Sequence, residues 1–172
     1  MTTAQVFYEE VKTLLGALMS TYDPPAHVCY RVGALLAVDE PLEYTDVCVS
    51  KADDGTVGDV VVFTSDRVIR ARFTDPFEED FASGDSCSAD VSTWARHDLE
   101  RITIAGPEGS NVDQTWSADQ GELWPLRAFL TLHYSQPPGE LVLPFHKTAP
   151  TVIRQRFRAF VPSLLEDLNR LT

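Results

Sequence analysis

The hydrophobic period of this chain changes twice, and the order of those changes limits the fold more than any motif does. Near the N-terminus Val6, Phe7, Val11, Leu14, Leu15, Leu18 and Tyr22 recur at helical spacing, with Gln5, Glu9, Lys12 and Thr13 opposite them. That pattern predicts one amphipathic helix. Asp23-Pro24-Pro25 stops it. Asp caps helices and Pro suits a first turn, so a second short helix or turn is expected through Ala26–Val38.

From Tyr44 the period becomes two, in short runs rich in valine, threonine and aromatics separated by turn residues. Expected strands are Tyr44–Ser50, Asp59–Thr64, Arg67–Phe73, Val91–Arg96, Glu100–Ala105 and Val112–Ser117. The clearest alternation sets Leu126, Ala128, Leu130, Leu132 and Tyr134 against Arg127, Phe129, Thr131 and His133. It lines a core. Leu141, Leu143 and Phe145 repeat the pattern after the turn at Gln136-Pro137-Pro138-Gly139. Asp75–Asp90, with Pro76, Gly84 and no period, reads as a solvated acidic loop.

After Pro150 the helical period returns. Ile153, Phe157, Val161, Leu164, Leu165, Leu168 and Leu171 form an apolar stripe, with Arg154, Arg158 and Asp167 off it. Pro162 is expected to kink or restart this helix near Val161.

At 172 residues the chain is about one domain long, and a core can bury roughly two-thirds of its unfolded surface without staples. Cys29, Cys48 and Cys87 are odd in number and lack CxxC spacing, so they read as reduced thiols. Glu9 and Glu10 stand where a secretory signal needs positive charge and an apolar run. The apolar stretch Val32–Val38 is far short of the ~18 residues of a membrane span. A cytoplasmic location is expected. The net charge of −12 is concentrated in Asp39–Asp90, which holds 14 acidic and 4 basic residues. Such a field repels nucleic acid and anionic lipid at long range.

The meander followed by an apolar-striped helix resembles the bacterial pleckstrin-homology-like (PH-like, GRAM-like) superfold. The resemblance is carried by VVVFTSDRVIRARF from Val60, VSTWARHDLERITI from Val91, and LVLPF followed by FVPSLLEDL. It implies an α+β fold: a bent antiparallel sheet or barrel of about seven strands capped by the C-terminal helix, with the N-terminal helix as an addition. Residues 1–38 would then be a helical segment packed on a domain of residues 39–172. The resemblance also implies binding rather than catalysis. Its members take phosphoinositides on basic loops, take extended peptides beside an exposed strand, or act as scaffolds. Phosphoinositide binders carry a basic-x-Arg triplet on the second strand. Here that strand has no basic residue, and Arg70-Ala71-Arg72 falls one strand later.

Catalytic patterns are weak. Gly84-Asp85-Ser86 is similar to a serine-protease nucleophile segment, but Cys87 replaces the following glycine, and no G-x-S-x-G elbow occurs. His27, His97, His133 and His146 show no H-x-x-x-H spacing; His97 beside Asp98 and Glu100 is the nearest metal candidate. Asp75, Glu78, Glu79, Asp80 and Asp85 match no calcium loop. No enzyme activity, cofactor or metal is expected.

Two groups of residues remain as candidate sites. Arg70, Arg72, Arg96 and Arg101, with Arg67 nearby, would receive an anion or a partner unless they pair with carboxylates such as Asp66, Asp75 and Asp98. Lys147, Arg154 and Arg158 form a second positive group. Trp94, Trp116 and Trp124 would mark a partner surface if exposed, and core walls if not. The expected function is a non-catalytic interaction domain for protein or peptide, using a groove between a sheet edge and the last helix. The alternative is a binder of a small anionic ligand or lipid headgroup through the arginine cluster. An N-terminal helix whose apolar face the sheet does not absorb would pair with a second copy and make a homodimer.

Overall fold

The computed structural model describes residues 2–18, 23–53, 55–76, 87–105, 129–135, 139–146 and 151–170. It is α+β, with two antiparallel sheets of four and three strands and three helices among the described residues. This is the element set that the PH-like resemblance implies. Two compact units divide the chain, Met1–Ala95 and Arg96–Thr172.

The N-terminal unit holds helices α1 (Thr3–Leu18) and α2 (Ala26–Gly33) and strands β1 (Leu42–Ala52), β2 (Gly55–Thr64), β3 (Arg67–Pro76) and β4 (Ser88–Ala95). The strands form a meander in the order β1-β2-β3-β4. Phe7, Val11, Leu14 and Leu15 of α1 are buried, and the helix packs on β1 and α2. Its apolar face is thus absorbed within the unit, which removes the physical reason for pairing two copies through it. Thr45 donates to the Glu10 carboxylate at 2.8 Å, tying β1 to α1.

β2 starts at Gly55, four residues before the expected Asp59. Gly55, expected to end the Asp53-Asp54-Gly55 turn, opens the strand, and Gly58 within it is paired opposite Phe73. A Cβ there would overlap the Phe73 ring, so the glycine is a seat for an aromatic ring inside a strand. Val60, Val61, Val62 and Phe63 are buried without a break, as suits an interior strand. β4 begins at Ser88 rather than Val91, and β3 runs on through Pro76. Both ends of the expected acidic loop are therefore strand. Residues 77–86 of that loop lie outside the described residues.

The C-terminal unit opens with a 3₁₀ turn, Arg96–Asp98. Strands β5 (Leu99–Ala105), β6 (Phe129–Tyr134) and β7 (Glu140–Leu143) follow in the order β5-β6-β7, and α3 (Thr151–Asn169) ends it. Leu130, Leu132, Tyr134, Leu141 and Leu143 are buried as the alternation requires. Leu126 and Ala128, and the expected strand Val112–Ser117, lie outside the described residues. Phe145 falls beyond β7, which ends at Leu143.

α3 does not restart at Pro162: it is helical without interruption from Thr151 to Asn169. Pro162 and Arg158 lie on its exposed side, where water reaches the carbonyl that proline cannot serve. Its buried stripe also differs from expectation. Ile153, Phe157, Phe160, Leu164 and Asp167 are buried, whereas Leu165 is 49% exposed.

Among the described residues no helix is long and apolar enough to cross a membrane.

Candidate functional site

Arg70 and Arg72 lie two residues apart on β3 and so share one face of the sheet. Asp59 on β2 stands directly across from Arg72. The Asp59 carboxylate takes Arg70 Nε at 3.0 and 3.1 Å on its two oxygens, and Arg72 Nε approaches it at 3.7 Å. The Arg70 side chain is 13% exposed and that of Arg72 is 64% exposed. Arg72 is also paired across the ladder with Asp90. A depression lined by Asp59, Arg72, Phe73, Thr74, Ser88 and Asp90 therefore offers an anion one exposed guanidinium between two carboxylates. Asp59, rather than the expected Asp66 or Asp75, is the partner.

Arg96 and Arg101 belong to the C-terminal unit. Arg96 is buried, its Nε and Nη2 donating to Asp167 Oδ2 at 2.9 and 2.6 Å and its Nη2 to Ser163 Oγ at 2.8 Å. The guanidinium also lies over the Phe160 ring at 5.6 Å. This arginine anchors α3 to the 3₁₀ turn and presents no face to an external anion. Asp98 is not its partner. Arg101 is exposed on β5 and lies in a row with His133 and Glu140 across the three strands. His133 Nδ1 is 3.0 Å from Glu140 Oε1 and 3.4 Å from Arg101 Nη2, and its Nε2 is 2.9 Å from Thr103 Oγ1. Trp94 is 6% exposed and belongs to the core. Trp116 and Trp124 lie outside the described residues, as does Lys147.

The sheet edges differ in how they are covered. On β4 the Ala89 carbonyl accepts from Arg31 of α2 at 2.8 Å, and β1 carries Lys51 and Glu43 along 11 residues. β5 is seven residues long, five of them exposed, and contains neither lysine nor proline. Among the described residues it pairs on one side only, with β6. Ile104 stands in one row with Leu130 and Leu143. Those two leucines are buried, but Ile104 is 56% exposed, so among the described residues the core face of the sheet runs out to a strand with no second partner. α3 packs beside this strand. The alternation alone does not reveal the edge, because strand order is a tertiary fact; the strand itself was legible.

No family model matches the chain, and no curated protein matches it. A search of solved structures finds likeness to the hSac2 domain from human phosphoinositide phosphatase Sac2. The identity is 14% and the TM-score 0.43, with 95% of this chain and 84% of that one covered.

Proposed function

We propose that the chain is a non-catalytic interaction domain that takes an extended peptide as an added strand along β5. The observation that carries this reading is the exposed Ile104 on a strand that, among the described residues, pairs on one side only, in line with buried Leu130 and Leu143. An added strand gains main-chain hydrogen bonds from the edge, and its alternate side chains supply specificity. One side of the peptide would meet the Ile102 and Ile104 row with apolar residues. The other would follow Arg101 and Thr103 with polar ones. The net charge of −12 favours a neutral or basic peptide. Natural sheets guard such edges with lysine, proline or bulges; β5 lacks the first two along its length.

The test is selection of linear peptides from a random display library, followed by anisotropy titration against wild type, Ile104→Lys and Arg72→Glu. Ile104→Lys places a charge on the inward row and should weaken selected peptides at least about tenfold, or about 1.4 kcal/mol. Arg72→Glu should leave them unchanged. Peptides indifferent to Ile104→Lys and lost on Arg72→Glu would move the site to the β3 arginines and favour an anionic ligand. A concentration-dependent dimer abolished by Ile104→Lys would identify the added strand as that of a second copy.

A further inference from the structure

We propose that His27, Asp75 and Cys87 form a binding site for a single divalent transition metal ion, zinc in the first instance. One ligand atom from each lies within 4.8 Å of the other two. Some point therefore lies within about 2.8 Å of all three atoms, so shifts of under about 1 Å give zinc bonds of about 2.0–2.3 Å. The Cys87 Sγ to Asp75 Oδ1 distance is already 3.5 Å, close to the edge of about 3.5 Å expected between sulfur and oxygen on a tetrahedral zinc.

The scaffold holds the three groups in place independently of any ion. Thr74 and Ser88 pair across β3 and β4, and their hydroxyls are 2.7 Å apart. Asp75 and Cys87 lie one residue further out on the same two segments. His27 sits on α2 one turn before Arg31, and Arg31 fastens that helix to the Ala89 carbonyl of β4. The Phe73 ring meets the His27 ring edge-on at 6.4 Å. Among the described residues His27 Nε2 is buried with no hydrogen-bond partner, a costly state for a ring nitrogen unless something binds it.

The chemistry of the donor set selects the ion. Imidazole and thiolate are ligands of zinc and its neighbours rather than of magnesium or calcium. Thiolate, carboxylate and neutral imidazole together balance the charge of a dication. On binding, the Cys87 S–H bond breaks, the sulfur–metal bond forms and the proton passes to the buffer. Three protein ligands leave a fourth position for water or a partner's side chain.

The test is titration of the chelator-treated full chain with cobalt(II), followed by zinc competition against a chromophoric chelator. One equivalent should produce the near-ultraviolet thiolate-to-cobalt band together with visible four-coordinate bands. Cys87→Ser should abolish the charge-transfer band, and Cys29→Ser and Cys48→Ser should keep it. His27→Gln should weaken zinc by more than about tenfold, since even supporting residues around a metal cost about 10–100-fold. A second readout needs no variant: zinc, and not magnesium, should protect Cys87 from iodoacetamide in peptide-mapped wild type. Absence of the charge-transfer band, its survival in folded Cys87→Ser, or labelling of Cys87 indifferent to zinc would overturn the assignment.

Discussion

Asp167, which periodicity places on the polar side of the last helix, receives the Arg96 guanidinium through two hydrogen bonds in a setting where both side chains are under 5% exposed. The pair turns the apparent defect in the stripe of α3 into its anchor, with Leu165 displaced outward. A buried ion pair is tolerated only when its remaining donors and acceptors are met. Here Ser163 Oγ and the Phe160 ring complete the arginine's surroundings.

Removing one partner should therefore cost more than removing both. Arg96→Ala or Asp167→Ala should each destabilise by about 3–5 kcal/mol, because a charge is left buried. The apolar double variant Arg96→Met/Asp167→Leu should recover much of that loss. Urea unfolding of the four proteins checks this, and additive losses would show that the two side chains do not act as a pair.

Gly58→Val should destabilise by about 1–3 kcal/mol, the usual cost of overpacking, although valine suits a strand better than glycine. The Phe73 ring occupies the space of the new side chain. Phe73→Leu should relieve part of the loss in the double variant. Thermal melts give the coupling, and a Gly58→Val protein as stable as wild type would mean that the ring moves freely.

Glu40 joins the segment after α2 to the start of β3, accepting from Arg67 Nη2 at 2.6 Å and from the Ala37 N–H at 2.9 Å. Burial raises its pKa, but the Ala37 N–H, Thr64 and Arg67 outweigh that and hold the carboxyl below its ordinary value. A depressed folded pKa stabilises above the unfolded value, about 4.3 for Glu, and the gain disappears as pH falls through the folded one. Wild type should thus exceed Glu40→Gln by about 1–2 kcal/mol at pH 7, discounted for the part-exposed arginine. The difference should shrink below about pH 4. Guanidinium titrations across pH read it, and a difference that persists at pH 2 would assign the effect to packing.

Cys29 and Cys48 should alkylate slowly in the native state. Burial pushes both thiols up to about 11, with Asp59 and Asp46 adding to the effect at Cys48. At pH 8 about one molecule in a thousand then carries the thiolate, against about one in four for an ordinary cysteine. Peptide mapping after timed iodoacetamide treatment should show labelling at these two sites rising about tenfold per pH unit until the fold is lost. Rapid labelling at pH 7 would contradict the burial.

Local period and turn chemistry made most elements legible before any coordinates. Phe7, Val11, Leu14 and Leu15 recur at helical spacing, and Leu130, Leu132 and Tyr134 alternate, because the geometry of one helix or one strand dictates which side chains share a face. The length of β2 was not legible, since a glycine in a strand looks like a turn until the ring that needs its space is known. The β5 edge and the joining of Arg96 to Asp167 were hidden for the same reason.

The sequence by itself determined the element order, the strand-rich middle, the closing helix and an acidic charge centred on Asp39–Asp90. Only the tertiary structure decided which arginines are neutralised, which strand pairs on one side only among the described residues, and that His27, Asp75 and Cys87 meet. Hydrophobic period is a local property of the backbone. Pairing of charges and ligands joins residues up to 71 positions apart, and such distances are set by how the elements pack.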